Sequence, residues 1–493
     1  MDHIVLFFII VSMTTFFSCK SDGNSSSSSS PQNTSVDRIS QTPGENRKMS
    51  NLDLKVKIAG APQGKYYLMG IFADQYYKAA EAEINGEDLR FKQDDSVKPG
   101  LFYVLFPDQK TGVQVLIDTD QQFSISTDVN DLAGAMVVEG STDNQQFYEA
   151  LRFESEIQPE LSRLSTSFKA HTVGSPEHTK ANEEYQLLRD KRTSTLRDLF
   201  KDDPQSLFTA FKEAGQNPDI DYMYDPDGTL SPAYLVKYRS QFWDNVNFSD
   251  QRLLYTPVIS NKLTRYFGEL MPQNPDSIRR YASELVDKVL VHDDYFKYFS
   301  NWITLKYEPT KTSLMDPEAV FVHMIQNYFT NERAFWADSA QVYALQLRAY
   351  EMSGSLTGQE GPDVTANGPD GKSYSISDLK DDYVIVFMWN PDCEHCIEET
   401  PKMIEFYNEW DDKGVDIYSI AVNTEKEKWI EAIEKYKMPW INVFDPTNRA
   451  IYGKYYVDNT PEIYVLNPER KIIGKNLNVN QITTIIDRDK AER

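Results

Sequence analysis

Cysteine is almost absent from this chain. Three occur in 493 residues, at Cys19, Cys393 and Cys396. So few thiols exclude a scaffold stapled by disulfides. A bridge between Cys393 and Cys396 would close too short a loop to restrain the unfolded chain much. Two neighbouring thiols also fall short of a structural zinc set, and of the six histidines only His395 lies beyond residue 353. No metal site is therefore expected. Basic charge is scarce as well. There are 51 Lys and Arg against 75 Asp and Glu, a net charge of −24, which opposes nucleic-acid binding because phosphate contacts need clustered cations. After the first eighteen residues no apolar run approaches the roughly 20 residues that span a bilayer. The stretch DYMYDPDGTL lacks the ligand spacing and closing Glu of a calcium loop and reads as a surface turn. No internal repeat is visible.

What is present begins with an apolar segment, IVLFFIIVSMTTFF from Ile4 to Phe17. It is too short to span a membrane and fits the core of a signal peptide. FFSC, Phe16 to Cys19, resembles the lipobox of bacterial lipoproteins, which implies cleavage before Cys19 and lipid attachment to it. SDGNSSSSSSPQNTS follows, polar and of low complexity, as a flexible tether would be. The expectation is a signal peptide over 1–18, a lipid-anchored tether over 19–49, and a mature protein in the periplasm or cell envelope.

Beyond the tether, Leu52, Leu54, Val56 and Ile58 alternate with Asp53, Lys55 and Lys57. Period two marks half-buried strands, and several similar runs place a small antiparallel β domain over 50–142. The period then changes. Phe147, Ala150, Leu151, Ile157, Leu161 and Leu164 recur at helical spacing, so 143–352 reads as an α-helical domain. From 353 to 493 strands and helices alternate. DYVIVFMW is a continuous apolar run, as in a strand buried on both faces. The order is β-α-β-α-β-β-α.

The two paired cysteines sit where that apolar strand hands over to a helix. Residues i and i+3 share a helical face, so the sulfurs can meet. The helix N-terminus stabilises a thiolate. Cys393 is therefore expected as the exposed nucleophile and Cys396 as the resolving thiol. His395, if protonated, favours the Cys393 thiolate, while Asp392 and Glu394 oppose it. Glu399, one turn past Cys396, is either a proton acceptor for the resolving thiol or an ordinary helix carboxylate. Thr460-Pro461 precedes a strand, where a Pro is either a cis turn facing the pair or a trans loop residue.

Residues from about 361 to 490 resemble the TlpA/ResA-like thioredoxin family, extracytoplasmic thiol–disulfide oxidoreductases. The resemblance is carried by GPDGKSYSISDLKDDYVIVFMW, CEHCIEETP and TPEIYVLNPERKII. The family pattern C-x-x-C-x-x-E-x-P is matched by Cys393, Cys396, Glu399 and Pro401, and its cis-proline motif by Thr460 and Pro461. The resemblance implies a thioredoxin-like domain, catalytic Cys393, Cys396 and Glu399, and substrate contacts from Trp389, His395, Thr460 and Pro461. It implies no cofactor beyond the redox-active cysteine pair, protein disulfides as substrates, and a membrane electron donor. Phe387 stands where ordinary thioredoxin has a buried Asp, and Asp392 where a Trp often precedes the first cysteine. The whole layout also resembles bacterial lipoproteins that carry a β domain, a helical spacer and such a C-terminal domain. A peroxidase resembling peroxiredoxins would need Thr and Pro three and seven residues before the cysteine. Asn390 and Val386 stand there. The expected function is protein-disulfide reduction. The alternatives are oxidation or isomerisation at the same site, or capture of a ligand by the first two domains.

Overall fold

The computed structural model describes residues 49–493. The expected signal peptide, Cys19 and the tether up to residue 48 lie outside the described residues. The described residues form two compact units, divided between Met271 and Pro272.

In the first unit the period-two pattern does what it predicts. Leu52, Leu54, Val56 and Ile58 are at most 2% exposed, whereas Lys55 and Lys57 face solvent. Eight strands result: β1 (Asp53–Ala59), β2 (Lys65–Phe72), β3 (Gln75–Glu83), β4 (Asp88–Lys92), β5 (Gly100–Leu105), β6 (Gly112–Ile117), β7 (Gln122–Asp128) and β8 (Val137–Glu139). They make two four-stranded sheets, ordered β4-β1-β7-β8 and β3-β2-β5-β6. Val56, Phe91 and Ile125 from one sheet share a core with Leu68, Phe102 and Val115 from the other, which makes a two-sheet sandwich. The pairs are antiparallel except β1–β7, which run parallel. Alternation along a strand does not encode its neighbour's direction, so this pair was not legible in the sequence.

Ser141 ends the β region by capping α1 (Thr142–Ala170), its hydroxyl accepting from Asn144 N–H. Phe147, Tyr148 and Ala150 of α1 pack into the sandwich core. α2 (Pro176–Asp202) follows, started by Ser175 and a Pro in the first turn. α3 (Leu207–Ala214), α4 (Pro232–Gln241) and α5 (Val258–Arg265) complete this unit, with Tyr266–Leu270 continuing α5 as a π-helical turn.

The second unit opens with α6 (Pro275–Lys288), α7 (Asp293–Lys306), α8 (Pro317–Tyr328) and α9 (Ser339–Met352). The helices read from sequence as one segment, 143–352, thus divide between the two units. A seven-stranded sheet follows, built from β9 (Thr365–Asn367), β10 (Ser373–Ser375), β11 (Tyr383–Trp389), β12 (Val415–Ala421), β13 (Ile441–Phe444), β14 (Glu462–Leu466) and β15 (Ile472–Gly474). Its order is β10-β9-β13-β12-β11-β14-β15. β11, β12 and β13 run parallel, and β14 lies antiparallel to β11. α10 (Glu394–Trp410), α11 (Lys426–Tyr436) and α12 (Val479–Glu492) complete the domain.

β11 is central, and all seven of its residues are buried. Tyr383, Ile385, Phe387 and Trp389 face a core shared with Cys396, Met403 and Ile482. Val384, Val386 and Met388 face the opposite core with Tyr418, Val443 and Tyr464. Burial on both faces is why this strand reads as an unbroken apolar run. The sheet, the helices on its face and the strand order define a thioredoxin-like α/β domain.

Candidate functional site

The site forms at the carboxyl ends of β11 and β12, where loops leave a parallel sheet and ligand sites gather. Trp389 ends β11, and Cys393 is the N-cap of α10. An N-cap is usually an oxygen-bearing residue whose side chain accepts a helix N–H. Cys393 puts a sulfur in that place, at the positive end of the helix dipole and beside the N–H groups of His395 and Cys396. Cys396 lies one turn deeper at 1% exposure, and Cys393 packs half-buried against the same core. Both are free thiols.

Two environments separate them chemically. Burial alone would raise the Cys393 pKa. Hydrogen bonds from the Cys396 N–H, the Cys396 and Thr460 side chains and the His395 N–H outweigh it, so the thiol sits below its ordinary value. As a thiol, Cys393 Sγ donates to Thr460 O at 3.1 Å. Cys396 goes the other way. Burial pushes it up to about 12, against the Asn390 N–H, which donates to its Sγ at 3.4 Å.

Thr460-Pro461 is a cis peptide, and it presents its carbonyl to Cys393, as the cis-turn reading expected. His395 is exposed, open to an incoming chain. Trp389, expected to touch substrate, is instead 1% exposed. It lies in the core shared with Cys396, stacked with Phe387 at 6.3 Å and an interplanar angle of 3°. A seven-residue strand buried on both faces leaves its last side chain no route to solvent. Phe387 and Trp389 belong to the apolar core in which Cys396 is buried, and that burial is the physical cause of its raised pKa.

Glu399 is taken up by neighbours. Lys402 Nζ donates to its Oε1 at 2.6 Å, and the Val479 N–H to its Oε2 at 3.1 Å. It therefore ties α10 to the first turn of α12. Asn390 is a participant that sequence reasoning did not single out. Besides its N–H to Cys396, its Oδ1 accepts from Asp392 N–H at 2.8 Å and its Nδ2 donates to Asn423 O at 2.9 Å. Asn423 has φ 53°, a left-handed conformation that Asn tolerates better than most residues. The Asn-rich loops were visible in sequence, but their meeting depends on β12 lying beside β11. Among the described residues no group of three or more His, Cys, Asp or Glu is arranged to hold a metal.

Residues 357–480 match the model of the AhpC/TSA family, and the C-terminal domain is a thioredoxin-like domain of that family. Several relatives are named thiol-disulfide oxidoreductase ResA. The chain is 29% identical over 116 residues to the thiol-disulfide oxidoreductase ResA of Bacillus subtilis, covering 24% of this chain and 64% of that protein. It is 27% identical over 132 residues to the thioredoxin-like protein YneN of the same organism, covering 26% and 75%. The chain thus spans about two thirds of the length of the ResA proteins it matches. Among solved structures, it is 31% identical to the thioredoxin domain of a thiol-disulfide oxidoreductase from Bacteroides vulgatus, covering 27% of this chain and 97% of that one, with a TM-score of 0.26. A thioredoxin-like protein from Bacteroides caccae covers 55% and 99% at 18% identity, with a TM-score of 0.46.

Proposed function

We propose that the chain is an extracytoplasmic, membrane-anchored thiol–disulfide oxidoreductase that reduces protein disulfides through Cys393 and Cys396. The observation that carries this reading is the asymmetry of the pair: an accessible thiol with a lowered pKa, one turn from a buried thiol raised to about 12. The Cys393 thiolate attacks one sulfur of a substrate disulfide, and the other sulfur leaves as a thiolate that takes up a proton. The Cys396 thiol then loses its proton and attacks Cys393 Sγ. The substrate departs as a dithiol, and the two electrons it gained leave a Cys393–Cys396 disulfide behind. A membrane electron donor restores the dithiol, and a lipid on Cys19 keeps the domain near that donor.

Buried thiols lose protons reluctantly, so the resolving step needs a proton acceptor. Glu399 takes that role in this reading, lending the carboxylate that now accepts from Lys402 and Val479. The Thr460 carbonyl and Pro461 meet the substrate backbone, and His395 lines its approach.

A second reading draws on the same lowered Cys393 pKa, since stabilising the reduced form makes a stronger oxidant. Equilibration in glutathione buffers distinguishes the two. A potential near about −270 mV, like thioredoxin, supports the reductase, and one near about −120 mV, like DsbA, assigns an oxidase.

A further inference from the structure

The first unit contains a cavity of about 390 Å³, within the range of small-molecule pockets. Its lining includes four cations, Arg192, Lys212, Lys262 and Arg265, and no carboxylate. That is unexpected in a chain of net charge −24. Two of the cations share one carboxylate behind them. Glu154 accepts from Arg192 and, at 2.6 Å, from Lys212. Arg265 donates to Asn217 Oδ1 at 2.6 Å and meets the exposed Glu269 at 3.5 Å.

Lys262 has no such partner. It is 6% exposed. Its Nζ donates to the Gln216 carbonyl at 3.3 Å and lies 4.2 Å above the Phe242 ring. None of its contacts among the described residues is a carboxylate. A buried ammonium without a counter-charge is costly, and such groups are normally paired. Burial, and after it the charge of Arg265, pushes its pKa down to about 7. The charged groups around it are Arg265 on its own helix, Lys212 on α3 and Arg192 on α2, with Glu154 of α1 behind the last two. Phe211, Leu151 and Val258 supply an apolar wall.

We propose that this cavity binds a small anion with an apolar body, its carboxylate or phosphate group meeting Lys262 and Arg265 and its body lying along Phe211 and Leu151. The anion supplies the counter-charge that the protein withholds. Binding therefore holds Lys262 in its protonated form, and the complex takes up protons at neutral pH. This inference stands apart from the thiol chemistry, because every residue in it belongs to the first unit.

The test is calorimetric titration of the intact chain at pH 7 with phenylphosphate, 4-phenylbutyrate and inorganic phosphate, in two buffers of different ionisation enthalpy. At least one aromatic probe is expected to bind with a Kd below about 1 mM, with proton uptake, and about 10-fold more tightly than inorganic phosphate. Lys262→Met should weaken that binding at least about 10-fold, keep disulfide exchange intact, and melt no lower than the wild-type chain, since it removes an unpaired buried charge. Arg265→Gln, at a more exposed position, should weaken binding about 5-fold and serves if the Met variant misfolds. The proposal is overturned if neither aromatic probe binds the wild-type chain, if inorganic phosphate binds as tightly as they do, or if the substitutions leave affinity unchanged.

Discussion

At the scale of single residues, two sulfurs one helical turn apart differ because one lies half-buried at a helix N-terminus among N–H groups and the other is buried in the core. Alkylation should read this directly. Iodoacetamide is expected to modify Cys393 with a midpoint below that of an ordinary thiol and to leave Cys396 nearly untouched at neutral pH. Equal labelling of both would contradict the asymmetry. Cys393→Ser should abolish disulfide exchange. Cys396→Ser should instead trap mixed disulfides with substrate proteins, visible on non-reducing gels. If Cys393→Ser leaves the cellular phenotype intact, the thiols are secondary and ligand capture by the first unit is the main role. Both cysteines were legible from spacing alone, because a shared helical face depends only on sequence separation. The burial of Trp389 was not, because it depends on what covers the end of β11.

At the scale of elements, α10 is the organising piece. Its N-terminus holds Cys393, its second turn holds Glu399, and Glu399 reaches α12. Two roles for that carboxylate predict different outcomes. Glu399→Gln keeps an acceptor for the Val479 N–H, so stability should change by less than about 1 kcal/mol. As proton acceptor for Cys396 it should slow the resolving step at least about 10-fold, with a changed pH profile. An unchanged rate profile would leave Glu399 as a tie between helices and nothing more. The pair with Lys402 adds little, since the lysine is largely exposed. The sequence placed most strands and helices of this domain, because burial on both faces and helical period are local signals. It missed β13 and β9, four and three residues long, which hold their shape only through pairing with neighbours.

At the scale of the second unit, a buried charge network joins α8 to the sheet. Lys475 is 0% exposed and lies 3.4 Å from Glu318 and 3.9 Å from Asp316. Glu462, directly after Pro461, accepts from Asn476 N–H at 2.8 Å. Burial raises the Glu462 pKa from 4.5 to about 8, with Lys475 opposing the rise. The folded state thus keeps a proton that the unfolded chain releases between those values. Stability contributed by this group is present below pH 4.5 and lost as pH rises towards 8. Thermal melts from pH 5 to 9 should show the second unit's transition falling, and Glu462→Gln should flatten that fall. Lys475→Met leaves Asp316 and Glu318 without their cation. It should destabilise this unit by about 3–5 kcal/mol, seen in urea melts.

By itself the sequence determined the periods, hence the β region, the helices and the two-faced β11, and it determined the dithiol, because all of these are set by residues near one another along the chain. The tertiary structure alone decided that α1–α5 cluster with the sandwich and α6–α9 with the thioredoxin-like domain. It also decided that Glu399 caps α12, that Asn390 braces the loop beside Cys396, and that Lys262 is buried without a counter-charge. Each of these depends on groups brought together from distant positions, where burial and electrostatic neighbours, rather than residue type, set the energy.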